Sequence, residues 1–152
     1  LENESGMADT DEFYDDRDTI LVVDDSGVSR FVLKEALCEK YNIIEASNVA
    51  EAMDILKKNF SQISLVICDI YMPEISGFDM LKQMRQISFL RKIPVVIVTA
   101  YGDFENEAHA IELGAIEVIS KPFNTTLLKR RVDNIINISD TNKYVHAAII
   151  SG

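Results

Sequence analysis

Five short runs of the chain are dominated by Val and Ile: TILVVD at 19–24, YNIIEA at 41–46, SLVICD at 64–69, PVVIVTA at 94–100 and IEVIS at 116–120. Four of them are nearly continuous in apolar residues rather than alternating, which predicts strands covered on both faces. Between the runs, apolar residues recur at helical spacing. The stripes are Val28, Val32 and Ala36 with Leu33 and Leu37; Val49, Met53 and Leu56; Phe78, Leu81 and Met84; Ala108, Ile111 and Leu113; and Leu127, Leu128, Val132, Ile135 and Ile136. Ser47 or Asn48, Ser76 before Gly77, and Asn124 with Thr125 supply helix starts, and Gly114 supplies a stop after the fourth helix. Strand and helix alternate five times, an order that builds a parallel α/β sheet with helices on both faces.

The 152 residues, 47% of them hydrophobic, suffice for one domain with a full core. The net charge of −10 changes the picture less than its distribution does. Residues 1–18 hold eight acids against Arg17 alone and have no apolar period, so they read as a disordered acidic tail in which Met7 is a candidate natural start. Residues 19–138 are the folded domain, with a nearly balanced surface and no basic patch for nucleic acid. Residues 139–152, with the apolar run VHAAII in DTNKYVHAAIISG, read either as an extension of the last helix or as a linker toward a further domain. Cys38 and Cys68 fall within helical and strand patterns, which argues against a disulfide framework and for a reducing cytoplasm. No run approaches the roughly 20 apolar residues of a membrane span, and the acidic start is unlike a signal peptide.

The polar residues that interrupt the apolar runs fall at their carboxyl ends, where open α/β sheets bind ligands. Asp24 and Asp25 follow the first strand, Asp69 closes the third, Thr99 lies at the end of the fourth, and Lys121 follows the fifth. Taken singly, such an Asp is a helix cap, such a Thr a strand former and such a Lys a surface turn. Together, three carboxylates on one sheet edge repel one another and call for a counter-charge, which a hard divalent cation such as Mg²⁺ provides through oxygen ligands. A lysine and a hydroxyl in the same crevice suit a phosphoryl group, whose transfer needs positioning and charge stabilisation above all.

With these motifs in view, the DD pair at 24 and 25, D-x-x-M-P-x-x-x-G as Asp69, Met72, Pro73 and Gly77, T-A as Thr99 and Ala100, and K-P-F as Lys121 to Phe123, the chain resembles the receiver domains of two-component response regulators. The resemblance covers Thr19 to about Ile138. It implies a flavodoxin-like, doubly wound (βα)5 fold with strand order 2-1-3-4-5. It implies that Asp69 accepts a phosphoryl group from a phosphohistidine on a sensor histidine kinase or phosphotransfer protein. Asp25, Asp69 and the carbonyl of Tyr71 would ligate Mg²⁺, with Asp24 acting mainly through water. Thr99, the Ala100 N–H and Lys121 would hold the phosphoryl oxygens, and the Lys121–Pro122 bond would be cis. Where such domains often carry a Tyr or Phe that swings inward, this chain has Val118, which leaves no aromatic switch at that position. By the same resemblance Tyr71 and Tyr101 border the path of a water attacking the acyl phosphate, and would slow its hydrolysis.

Rival readings fit the residues less well. A haloacid-dehalogenase-type phosphatase would place D-x-D after the first strand, where this chain has DDSG, and a dinucleotide-binding domain would need G-x-G-x-x-G, where Gly27 stands alone. A degenerate receiver serving only as an interaction module would be expected to lack Asp25, Asp69 or Lys121. His109 and His146 read as packed or solvated side chains outside the site. The Lys129–Arg131 run reads as a solvated helix face. Set against Glu105, Glu107, Glu112 and Glu117, the same run could also support a phosphorylation-dependent homodimer through the fourth helix, fifth strand and fifth helix.

Overall fold

Each apolar run becomes a strand and each striped segment a helix. The computed structural model describes residues 16–151, with side chains through 139. The strands are β1 (Thr19–Val23), β2 (Asn42–Ala46), β3 (Ile63–Asp69), β4 (Val95–Ala100) and β5 (Glu117–Lys121). The helices are α1 (Gly27–Leu37), α2 (Val49–Asn59), α3 (Gly77–Gln86), α4 (Phe104–Glu112) and α5 (Thr125–Ser151). All strand pairs are parallel, in the order β2-β1-β3-β4-β5, as the motifs imply. The expected acidic tail lies outside the described residues up to position 15, and α5 runs past residue 138, where the sequence pattern closes the domain.

Strands buried on both faces divide the core in two. Leu21, Val23, Val66, Cys68 and Ile97 pack with α2, α3 and Ala110 of α4 on one side. Ile20, Val22, Leu65, Ile67, Val96 and Val98 pack with Leu33 and Leu37 of α1 and Leu128, Val132 and Ile136 of α5 on the other. Alternate residues of one strand thus serve opposite cores, which is why the central strands are continuous in apolar residues.

Helix starts follow local chemistry. The Ser26 side chain accepts from the Ser29 N–H, that of Asn48 from the Glu51 N–H, and Ser76 and Asp79 form a reciprocal capping box. Gly114, at φ +108°, ends α4 in the left-handed region as expected. Two stripes need correction. In α1 Leu33, Ala36 and Leu37 are buried as the stripe predicts, but Val28 of the same stripe is 76% exposed. In α4 Ala108 and Ile111 face solvent, and Ala110 is the residue fully buried. Both helices carry apolar residues on more than one face, so spacing alone does not choose the packed one.

Candidate functional site

Parallel strands all end on the same edge, and four of the five strand-end residues, Asp24, Asp25, Asp69 and Lys121, come together there. Asp24 is 1% exposed and Asp69 8%, whereas Asp25 is open to solvent. Carboxylate oxygens of the three lie within 4.8 Å of one another, so they could hold a metal ion. Asp24 is fixed from several directions. Its own N–H donates to the Ala46 carbonyl (3.1 Å), its Oδ1 accepts from the Ser26 N–H (2.9 Å), and its carbonyl accepts from Arg30 Nη1 (2.7 Å). Arg30 is itself held by Glu45 at 3.0 Å.

Lys121 reaches into this group from the end of β5. Its Nζ donates to Asp24 Oδ2 at 3.3 Å, Asp69 Oδ2 at 3.4 Å and Ser29 Oγ at 3.2 Å. Burial, and then the Asp24 charge, push the Asp69 carboxyl above the usual range, with Lys121 pulling the other way. Burial alone would lower the Lys121 ammonium, but the charges of Asp69 and then Asp24 outweigh it and hold that group above its ordinary value. The Lys121–Pro122 bond is cis.

Thr99 is 1% exposed, and its hydroxyl has no hydrogen-bond partner among the described residues. It lies near enough to the Asp103 carboxylate to help hold that group low, and a buried hydroxyl without a well-formed bond favours a ligand that supplies one. Ala100 pairs with Lys121 across β4 and β5. Ala100, Asp69, Tyr71 and Lys121 line a cleft of about 680 Å³ whose far wall is Val28, Ser29, Val32, Pro122 and Phe123.

The loop between β3 and α3 is folded tightly against Asp69. The Gly77 N–H donates to the Ile70 carbonyl at 2.9 Å. A Cβ on Gly77 would lie 2.4 Å from the Asp69 carbonyl oxygen, so only glycine permits this approach. From this loop Tyr71 crosses to the start of α4. Its hydroxyl donates to Asp103 Oδ2 at 3.1 Å, and Asn106 donates to both the Tyr71 hydroxyl and Asp103 Oδ2 (2.8 Å). The bond to Asp103 raises the Tyr71 phenol, and the bond from Asn106 lowers the Asp103 carboxyl.

Not every expected residue joins the site. Tyr101, just past the end of β4 at Ala100, is 84% exposed and does not line the cleft. Val118 packs against the core on the α2–α4 side. His109 stacks edge-on against Phe78, while His146 has no described side chain. Ser29 and Asp103 were not singled out by the sequence. Their contacts span 92 and 32 residues, a juxtaposition that only the strand order creates.

Comparison with known proteins agrees with this geometry. The family model for the response regulator receiver domain matches residues 20–133. The chain is 31% identical to the chemotaxis protein CheY1 of Helicobacter pylori over 123 residues, covering 80% of this chain and 98% of that one. It is 35% identical to Histidine kinase P4 of Formosa agariphila over 121 residues, 80% of this chain but 9% of the kinase. It spans at most about half the length of several other curated relatives, phosphodiesterases and transcriptional regulators among them. A receiver domain structure from Clostridium thermocellum superposes with a TM-score of 0.75 at 31% identity, covering 82% of this chain and 98% of that one. With the family's pattern matched across nearly all of the sheet and its helices, the chain belongs to the response regulator receiver domains.

Proposed function

We propose that Asp69 accepts a phosphoryl group from the phosphohistidine of a sensor kinase or phosphotransfer protein, with Mg²⁺ as cofactor. The observation that carries this reading is the Lys121 ammonium lying between Asp24 and Asp69 at a cleft mouth. An Asp69 oxygen attacks phosphorus, the P–N bond breaks, and its electron pair leaves with the imidazole, which takes a proton from solvent. Lys121 then pairs with a phosphoryl oxygen, the orphaned Thr99 hydroxyl donates to another, and the Ala100 N–H to a third. The donor set fits Mg²⁺: hard oxygens from Asp25, Asp69 and the Tyr71 carbonyl, with Asp24 reaching through water. Bound there, the cation would neutralise charge that builds on the phosphoryl oxygens. The test is acid-labile labelling by acetyl phosphate, expected with Mg²⁺ and lost with chelator; labelling indifferent to Mg²⁺ would overturn the metal assignment. An interaction-only receiver is not favoured, since Asp25, Asp69 and Lys121 are all present and assembled.

The lifetime of the phosphoryl group falls to Tyr71. Held by Asp103 and Asn106 at the cleft lining, its ring screens Asp69 from water. We expect Tyr71→Asn, which can orient a water, to speed decay of the phosphorylated protein up to about tenfold, a change of about 1.4 kcal/mol in barrier. Decay followed after donor removal at fixed Mg²⁺ decides it, and an unchanged or slower rate removes Tyr71 from the gate.

A homodimer through α4, β5 and α5, conditional on phosphorylation, is a further part of this reading. Phe104, Ile111 and Ile116 are exposed on that face. Glu117 already pairs with Arg131 of the same molecule at 3.7 Å, which leaves Glu105, Glu107 and Glu112 to meet Lys129 and Arg130. Surface pairs contribute about 0–1 kcal/mol each, so the dimer should weaken with salt. Sedimentation should show a larger mass with beryllofluoride, and an unchanged mass refutes the dimer. We place the domain in the cytoplasm, where reduced Cys38 and Cys68 are expected. No described helix is long and apolar enough to cross a membrane.

A further inference from the structure

Ser29 is a polar side chain in a wall otherwise built of Val28, Val32, Pro122 and Phe123. Its place in the first turn of α1 is fixed by the bond from its N–H to Ser26 Oγ at 3.2 Å, and Ser26 in turn bonds the Asp24 carboxylate. The helix start therefore sets the distance from the Ser29 hydroxyl to the acidic cluster. Its Oγ stands 3.2 Å from Lys121 Nζ.

An ammonium has three protons to donate. At Lys121 they have three acceptors, Asp24 Oδ2, Asp69 Oδ2 and Ser29 Oγ, at 3.3, 3.4 and 3.2 Å. Two of these acceptors are anions whose roles change during the reaction. The Asp69 carboxylate becomes an acyl phosphate and gives up its charge, and Asp24 faces the cation position. Ser29 is neutral, touches no phosphoryl atom in the scheme above and does not change. A valine or leucine here would extend the apolar wall and leave one ammonium proton without an acceptor.

We propose that Ser29 is a positioning residue for phosphoryl transfer: its hydroxyl anchors the Lys121 ammonium from α1, so that the proton released by Asp69 points at the incoming phosphoryl oxygen. This inference rests on the phosphoacceptor reading and adds to it a residue outside the four strand ends. The role is orientation, because the hydroxyl supplies no charge and Lys121 remains charged without it. The effect should fall on turnover at saturating donor and leave donor affinity unchanged.

Two measurements on the full chain test the inference. With phosphoramidate as donor, Ser29→Ala should lower the limiting phosphorylation rate roughly three- to tenfold with KM changed less than twofold, and Ser29→Thr should restore most of it. In protein labelled with ¹⁵N-lysine, the Lys121 ammonium signal, assigned by its loss in Lys121→Arg, should be sharp in the wild type, since three bonds slow its proton exchange. It should broaden in Ser29→Ala while the other lysines are unmoved. A limiting rate within twofold of wild type, or an unchanged Lys121 signal, overturns the proposal. If the wild type takes up no phosphoryl group, the phosphoacceptor reading fails, and the ammonium signal alone decides whether Ser29 holds Lys121. Should Ser29→Ala lose its fold, Ser29→Cys, of similar size with a weak acceptor, stands in its place with the same expected outcomes.

Discussion

Replacing Asp69 by Asn is expected to abolish phosphoryl uptake from acetyl phosphate while leaving the fold unchanged. The amide keeps the volume of the carboxylate but is a far poorer nucleophile. No neighbour can stand in: Asp24 is pinned by the Ser26 N–H and Lys121, and Asp25 lies open to solvent. Acid-labile label at the wild-type level in the variant would refute the assignment. The substitution should also show in stability. Because the Asp69 carboxyl titrates above its ordinary range, the folded protein keeps that proton longer than the unfolded chain does. The associated stability is fully present below the ordinary carboxylate value and is lost as pH rises through the raised one. At neutral pH in chelator, the Asn variant should therefore melt above the wild type, and Mg²⁺ should narrow or reverse the gap. Equal melting temperatures in chelator would mean that Lys121 already offsets the repulsion.

The second large effect is expected at a residue with no functional group. Gly77→Ala brings a methyl carbon to 2.4 Å from the Asp69 carbonyl oxygen and 3.1 Å from the Ile70 Cα. Both are backbone atoms, and neither can turn aside as a flexible side chain would. The loop from Ile70 to Ser76 must move away from the strand end, breaking the 2.9 Å bond from the Gly77 N–H to Ile70. Overpacking of this kind costs about 1–3 kcal/mol. The same movement displaces the Tyr71 carbonyl and the Asp69 side chain together, and a shift of about 1 Å at reacting groups can cost on the order of a hundredfold in rate. Gly77→Ala should thus lower the melting temperature and slow labelling by more than about tenfold. Ser76→Ala, which removes the cap and leaves the close approach untouched, serves as the control. If the two variants label alike, the close contact at Gly77 does not position the site.

The strands were legible because burial on both faces leaves continuous apolar runs, whereas their order came only from the resemblance carried by the motifs at the strand ends. Asp24, Asp69 and Lys121 meet in space because in a parallel sheet every strand ends on the same side. The packed face of α4 was not legible, and that of α1 only in part. Val28 and Ile111 are apolar, correctly spaced and exposed, so the spacing was satisfied by residues that the sheet does not cover. Tyr101 is a different case. It follows the end of β4 and is 84% exposed outside the cleft lining, a placement that the loop conformation sets and a two-residue spacing from Thr99 does not. A serine in a helical stripe gives no signal of its own, and Ser29 acquires a role only when α1 and the end of β5 lie side by side.

Asp103 stands at the N-cap of α4, yet its side chain makes no capping bond to that helix, because the carboxylate is committed to Tyr71 and Asn106. With Ala110 as its fully buried residue, α4 is the helix with least packing to hold it in place. The Tyr71 clasp is then a mechanical tie between the β3–α3 loop and the most weakly anchored helix, and such a tie acts in both directions. A ligand that binds the α4 face and favours the clasped arrangement stabilises Tyr71 over Asp69. By thermodynamic linkage, any occupant of the Asp69 site that displaces Tyr71 changes the affinity of α4 for that ligand by the same factor.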